Sequence, residues 1–534
     1  MTAPAAGGGS SLNAARRARE LTGLADGAAV DVLVVGLGAT GAGVALDAAS
    51  RGLSVVAIDA HDLAFGTSRW SSKLIHGGLR YLASGQLDVA YESAVERGVL
   101  MERTAPHLVR ALPFVLPLTP LTSTRQSVLA RTGFAAGDLL RLSAGTARAT
   151  LPGPRRLSAA RTLRLAPALR GHGLRGGLLS WDGQLCDDAR LVTAIARTAA
   201  AHGARVLTRC RALALTGGVR PSRPRPAAPM EALVRDERTG REFTVRARAV
   251  INAAGVWAGG LVEGVRLRPS RGTHLVLRAE SFRGGLTTGL HLPIPGEDNR
   301  FVLVLPQGDG RVYVGLTDEP VDGPIPDVPQ APEADIGFLL DILGSALDVP
   351  VRRDEVAGAY AGLRPLLDTG GGARAGRTAD LSRRHAVLTS PDGVLTIVGG
   401  KLTTYRRMAQ DAVDAVVASR GLTAGPSRTG RLPLVGAASL RTLAGLDAPR
   451  RLIQRYGTEA PLVQALGRED PALLEPVVAG LPVTGAELAW AVRHEGALDE
   501  SDLLDRRTRI GLVAADREAA LPTARRVLAD PLDP

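Results

Sequence analysis

Lysine is nearly absent from this chain: of 65 basic residues, Lys73 and Lys401 are the lysines and the rest are arginine. A genome that favours arginine codons accounts for the bias, so the information lies in where the two lysines stand. Aromatic residues make up 3% of the chain, too few to build stacking platforms for single-stranded nucleic acid. No zinc-finger or RNA-binding signature is present. Cys186 and Cys210 are the cysteines, too far apart for a CxxC redox or metal motif and too few for a disulfide framework. They read as small buried hydrophobes in a reducing compartment. No run of 18 or more apolar residues occurs, and the start, "MTAPAAGGGSSLNAARRARELTG", lacks an apolar h-region. The expectation is a chain neither secreted by that route nor spanning a membrane.

What is present points to a large folded protein. At 534 residues the chain exceeds what one hydrophobic core supports, and 45% hydrophobic with 22% charged residues is ordinary for a globular protein. A net charge of +12 and a pI near 10.6 fit an anionic substrate or membrane surface. The arginines are spread over the whole length, and no nucleic-acid partner is expected. The first 28 residues, Gly/Ser-rich and then basic, read as a mobile tail. "GGVRPSRPRPAAP", Gly217 to Pro229, reads as a solvated loop between two strands. Alternation in "EFTVRARAVINAAG" and "RFVLVLPQGDGRVYVGLTDEP" predicts strands, the latter joined by a Gly-Asp-Gly turn. From about Gly425 the spacing turns helical.

The most specific local signal is "VDVLVVGLGATGAGVALDAASRGLSVVAIDA": a strand, Gly36-x-Gly38-x-x-Gly41, a small-residue helix, and a second strand ending at Asp59. Gly36 suits a tight turn, Gly38 lets backbone approach a pyrophosphate, and Gly41 lets the helix pack on the strand. The helix N-terminus then faces the phosphates. Asp59, eighteen residues after the last glycine, is placed to accept hydrogen bonds from an adenosine ribose. The next segment, "TSRWSSKLIHGGLRYL" (Thr67 to Leu82), holds Lys73, His76, Gly77-Gly78 and Arg80-Tyr81. Small hydroxyls and glycines let a flat ring lie against backbone, while a histidine and an arginine supply a proton acceptor and an anion clamp.

"SSKLIHGGLRYL" together with "GGKLTTYR" (Gly399 to Arg406) resembles the FAD-dependent glycerol-3-phosphate dehydrogenase family. The likeness covers nearly the whole chain. "WDGQLCDDARL", "INAAGVWA", "RGTHLVL", "AGLRPLL" and "AVRHEGAL" resemble family blocks in the expected order. The resemblance implies oxidation of sn-glycerol 3-phosphate to dihydroxyacetone phosphate, with FAD taking the hydride and a quinone reoxidising it. A glycerol-3-phosphate oxidase returning electrons to oxygen, and an FAD-dependent amine or amino-acid oxidase, are the alternatives.

Residue by residue, the resemblance implies phosphate clamping by Arg364 and Arg383, with Arg80 and Tyr81 nearby. Arg384 stands where Asp or Asn is more usual, which leaves the register at Arg383 open. His76 and His274 are the candidate bases, His76 placed slightly ahead because the Gly77-Gly78 pair allows close approach to a flavin. Arg364 is a further candidate for positioning the hydroxyl. Ser72, Lys73, Ala254, Gly255, Gly400, Leu402 and Thr403 join the glycine motif and Asp59 as cofactor-binding candidates. Lys401 stands at a strand-to-helix junction, where helix amides and a compact ammonium suit a reduced flavin or a phosphate. Leu316, in "VGLTDEP", replaces a small polar residue usual there.

The implied architecture is α/β with α+β character. A doubly wound, Rossmann-like FAD domain comes from 29–110, 185–265 and 355–424, a β-rich substrate domain from 111–184 and 266–354, and a helical domain from 425–534. The quinone partner implies a peripheral membrane surface on the inner face of the cell membrane for an otherwise cytoplasmic protein. A homodimer belongs to the same picture. No metal site is expected.

Overall fold

The computed structural model describes residues 9–24, 27, 29–78, 86–120, 122–216, 229–297, 300–368, 384–468 and 470–529. The glycine motif opens a sheet ordered Ala386–Thr389, Leu395–Val398, Glu242–Asn252, Val30–Val35, Val55–Ile58, Arg205–Leu207. Four of these five pairings are parallel, and the one between Ala386–Thr389 and Leu395–Val398 is antiparallel. Val30–Val35 reads as an almost continuous apolar run because a parallel strand is covered on both faces. One face carries the helices Ala39–Ser50, Asp188–Ala201 and Tyr405–Arg420, the first packed between the other two. The other face is covered by the antiparallel strands Cys210–Thr216 and Met230–Asp236, which continue from Glu242–Asn252, and by the short helix Ala258–Leu261. Residues 217–228, most of the expected Pro-rich loop, lie outside the described residues.

A second, largely antiparallel sheet is ordered Glu319–Pro320, Ser270–Arg278, Arg311–Gly315, Phe301–Pro306, Gly289–Pro293, Val109–Pro117, Gly177–Leu185, Leu74–Ile75. The expected hairpin is there, with Leu303 opposite Gly315. Val356–Arg364 also pairs with Ser270–Arg278, from Ser270 opposite Arg364 to Leu277 opposite Val356. The boundary expected at 355 puts that strand with the cofactor segments. Its register places it in the substrate sheet instead, and the crossing back to the cofactor sheet comes after Arg364. Leu74–Ile75, inside the first cofactor segment, likewise pairs with Gly177–Leu185.

Beyond Gly425 the chain forms short helices around their own core, including Arg450–Tyr456, Gly485–His494 and Ala514–Ala529. Buried ion pairs fasten this unit to the cofactor domain: Arg197 to Glu459, Arg190 to Glu495, and Asp62 to both Arg506 and Arg507. The N-terminal segment departs from the expected mobile tail. Ala14–Thr22 is a helix capped by Asn13, Arg17 pairs with Asp236 at 2.5 Å, and Leu12 N donates to His494 O at 3.0 Å. Of the arginines that suggested a solvated tail, Arg17 is neutralised by a carboxylate remote in sequence and Arg16 by Glu20 of the same helix.

Candidate functional site

A cleft of about 1100 Å³ lies between the two sheets, at the upper end of the range for small-molecule sites. Its dinucleotide end follows from the glycines. Gly36 adopts φ +104, and a Cβ there would stand 2.6 Å from Ala253 O. A Cβ on Gly41 would stand 1.8 Å from Gly36 O, so helix and strand touch backbone to backbone. The helix Ala39–Ser50 thus opens directly on the cleft, with Ala39 N donating to Ser68 Oγ at 2.9 Å. Asp59 follows Val55–Ile58 and accepts from Leu37 N at 2.7 Å and His61 N at 2.8 Å. Burial pushes its carboxyl up to about 6, and each oxygen keeps a lone pair for a further donor.

At the other end, the register of Ser270–Arg278 against its neighbours places His274 beside Gly315 and Tyr360. His274 is 1% exposed. Its Nε2 lies 2.9 Å from Ser72 Oγ, its ring stacks on Tyr360 at 4.8 Å, and its Nδ1 has no partner among the described residues. Burial first, then the cations Lys73 and Arg364, hold its imidazole well below the ordinary range, so it is neutral. Arg364 ends its strand with Nη1 at 3.1 Å from both Ser270 Oγ and Asp318 Oδ1 and Nη2 at 3.2 Å from Thr317 O. Lys401 follows Leu395–Val398, precedes the turn Leu402–Thr404 and the helix Tyr405–Arg420, and donates from Nζ to Ser93 Oγ at 2.6 Å. His76 and Asp182 line the same region, Asp182 accepting from Arg97 Nη1 at 2.7 Å.

Most of the residues singled out in the sequence meet here. Gly36, Gly38, Asp59, Ser72, His76, Ala254, Gly255, His274, Arg364, Gly400, Lys401, Leu402 and Thr403 all line the cleft, with Leu316. Gly41 acts behind it as a packing contact. Gly77 and Gly78 back onto Arg97 and Ser93 rather than the cleft. Lys73 is the clear correction: its ammonium is buried and paired with Asp188 at 3.1 Å, turned away from the cofactor cleft. Its φ of +55 turns the side chain inward, which no sequence pattern announces. Arg80, Tyr81 and Arg383 lie outside the described residues. Arg384 pairs with Asp88. Sequence reasoning missed Trp70, Ser270, Asp318 and Tyr360, which orient the groups above. Trp70 and Asp318 sit within quoted motifs, whereas Tyr360 becomes visible only through strand register.

The family model described as FAD dependent oxidoreductase matches residues 31–406, and that of the C-terminal domain of alpha-glycerophosphate oxidase matches 427–533. Glycerol-3-phosphate dehydrogenase 1 of Mycobacterium tuberculosis is 56% identical over 521 residues, covering 97% of this chain and 98% of that protein. The chain belongs to the FAD-dependent glycerol-3-phosphate dehydrogenase family. Glycerol-3-phosphate dehydrogenase 2 of the same organism is 36% identical, covering 90% of this chain and 81% of its own length. Among solved structures, the glycerol-3-phosphate dehydrogenase from Bacillus halodurans complexed with FAD superposes with a TM-score of 0.72 at 27% identity, covering 96% of this chain and 94% of that one. The FAD-bound L-alpha-glycerophosphate oxidase from Mycoplasma pneumoniae shares the fold, with a TM-score of 0.57 at 18% identity over 76% of this chain and 99% of that one.

The residues present fit the family's cofactor. Thr403 Oγ1 and Trp70 Nε1 are buried, have no partner among the described residues, and belong to residues lining the cleft. Buried polar atoms in that state call for a ligand or water. The glycine cradle at the helix N-terminus suits a pyrophosphate and Asp59 a ribose, so the lining of the cleft fits FAD.

Proposed function

We propose that this chain oxidises sn-glycerol 3-phosphate at C2 to dihydroxyacetone phosphate and passes the electrons to a quinone at a membrane surface. The observation that carries this reading is the convergence, on one cleft with a dinucleotide cradle, of a neutral imidazole and two cations, His274, Arg364 and Lys401. FAD, when bound, supplies the hydride acceptor. Arg364, pre-oriented by Asp318, Ser270 and Thr317 O, clamps the substrate, with Arg80, Tyr81 and Arg383 assigned to the same end by resemblance. His274 accepts the C2 hydroxyl proton, because its buried ring is neutral and a dianionic substrate raises its affinity for a proton. His76, lining the same cleft, is the second candidate for that role. Lys401 and the amides of the turn that follows it would hold the cofactor's anionic edge, supplying positive charge there when FAD is bound.

The membrane part rests on the helix Thr124–Ser143. Val128, Leu139 and Leu142, apolar residues at helical spacing, are 60%, 67% and 51% exposed on it, with exposed Arg131 between them, a pattern suited to an anionic lipid surface. Leu129 and Phe134 of the same helix line the cleft, so an acceptor held in lipid has a short route to the cofactor. Among the described residues no helix is long and apolar enough to cross a membrane.

The experiment is anaerobic addition of sn-glycerol 3-phosphate to the purified flavoprotein. Bleaching of the oxidised-flavin band supports the reaction, and an unchanged band overturns it. Reoxidation by a quinone but not by oxygen supports the acceptor, and the reverse identifies an oxidase. The homodimer of the same reading is checked by sedimentation velocity.

A further inference from the structure

Lys73 is one of two lysines in the chain, and the reading above leaves it without a role. Its ammonium is fully buried and donates to Arg69 O at 3.1 Å, Ser71 O at 3.0 Å and Asp188 Oδ2 at 3.1 Å. Two of these acceptors belong to its own segment, so the chain from Arg69 to Lys73 wraps around its own cation. The same carboxylate oxygen of Asp188 accepts from Ser71 N at 2.9 Å and Ser71 Oγ at 2.7 Å, and Lys73 N donates to Ser71 Oγ at 3.0 Å. Tyr360 Oη donates to Ser71 O at 3.0 Å, and Arg509 from the C-terminal unit donates to Arg69 O at 2.6 Å. Three acceptors converging on one point suit a tetrahedral ammonium and not a planar guanidinium fork, which explains why arginine has not replaced this lysine. Burying such a pair is a poor source of stability, because desolvation offsets the attraction. Its yield is a defined loop geometry.

That geometry ends at the cleft. The segment between Arg69 and Lys73 presents Trp70 and Ser72 to it, and Ser72 Oγ meets His274 Nε2 at 2.9 Å. The other side of the same cluster is Tyr360, whose ring lies under Lys73 Nζ at 4.6 Å and stacks on His274 at 4.8 Å. His274 is therefore held at its edge by Ser72 and at its face by Tyr360, and both are held by Lys73. We propose that Lys73 is the positioning residue for His274: its ammonium is the internal cation around which residues 69–73 fold, and that fold aims Ser72 at the imidazole.

The proposal rests on the assignment of His274 as the base. The charged and titratable groups facing His274 are Lys73 and Asp188, Arg364 and Tyr360 of the strand Val356–Arg364, and Tyr313 beyond Tyr360. In Lys73→Met the holoenzyme keeps its flavin spectrum, kcat falls about 10²-fold as the base is misplaced, and the acid limb of kcat/KM moves to higher pH because a cation facing His274 is gone. Asp188→Asn moves that limb to lower pH. Lys73→Arg recovers the charge but not the kcat, and Ser72→Ala lowers kcat about tenfold with an unchanged melting temperature. Hydrogen exchange of the holoenzyme shows faster exchange across residues 69–73 in Lys73→Met, with the helix Ala39–Ser50 unaffected. Wild-type kcat and acid limb in Lys73→Met overturn the proposal. If that variant does not fold, wild-type kcat in Ser72→Ala overturns it alone. Turnover retained by His274→Gln overturns the base assignment, and the exchange experiment then decides whether Lys73 still organises the segment.

Discussion

Arg364 Nη1 lies 3.1 Å from Asp318 Oδ1, and the same carboxylate oxygen accepts from Ser270 Oγ. The arginine assigned to the substrate is therefore held in one orientation before any phosphate arrives. In Arg364→Met, kcat/KM for sn-glycerol 3-phosphate should fall at least 10²-fold, because a charge-assisted contact contributes about 1.5–3 kcal/mol and a bidentate one more. The variant also strands a buried carboxylate and should lower the melting temperature. Adding Asp318→Asn should recover the melting temperature without recovering activity. Recovery of both would mean that Arg364 is a scaffold residue.

Lys401→Arg tests the second lysine. A guanidinium has a different shape and reach at the point where Nζ donates to Ser93 Oγ at 2.6 Å. The expected result is normal flavin content with kcat/KM reduced about 10- to 100-fold, read by steady-state kinetics and the visible spectrum. Near-normal turnover and affinity would remove Lys401 from the functional set.

Acid should destabilise the fold through histidines that are buried or half-buried in it. Burial holds His291 at about 4, His107 at about 3, with Arg190 adding to the effect, and His494 at about 4, with Arg197 adding to it. The unfolded chain binds protons near pH 6.5 while the folded one does not. Their contribution is thus complete above about pH 6.5 and is lost as pH falls toward 4. His291 packs against Phe114 at 4.6 Å, so His291→Leu should flatten the pH dependence between 6.5 and 4, by about 2 kcal/mol at pH 5. Denaturant midpoints at pH 7 and pH 5 give the comparison. An unchanged slope would refute the assignment to His291.

The C-terminal unit should influence cofactor affinity. Burial would raise Asp62, but Arg507 and Arg506 hold its carboxyl well below the usual range. Asp62 stands three residues after Asp59, and between them His61 stacks on Phe65 at 3.8 Å, both lining the same cleft as Asp59. Arg507→Met leaves a buried carboxylate half-compensated, at a cost of about 3–5 kcal/mol, and should raise the FAD dissociation constant in fluorescence titration. Lower stability with unchanged FAD affinity would confine the pair to a structural role.

On the lipid side, Leu139→Glu with Leu142→Glu should abolish sedimentation with anionic vesicles while kcat with a water-soluble acceptor stays within about twofold, since both side chains point away from the cleft. Retained vesicle binding would place any membrane contact elsewhere.

Much of this was written locally. Strand, glycine motif, helix and Asp59 lie within thirty residues, and backbone sterics require glycine where Gly41 meets Gly36. The helical character after Gly425 and the stop of Tyr405–Arg420 at Gly421, φ +60, were equally legible, because periodicity and capping are properties of neighbours in sequence. The motifs flanking Lys73, His274, Arg364 and Lys401 marked the segments that assemble the cleft.

What those side chains do once assembled was decided by partners far away in sequence. Lys73 reads as a cofactor ligand until Asp188, 115 residues on, draws its ammonium under the loop. Ala14–Thr22 reads as a solvated tail until Asp236 pairs with Arg17, and Val356–Arg364 changes domain because its hydrogen bonds go to Ser270–Arg278. A motif records which groups are available and how the backbone near them bends. Which of them face the cleft, which are neutralised and which imidazole is kept neutral depend on long-range pairing and burial, and these exist only in the folded chain.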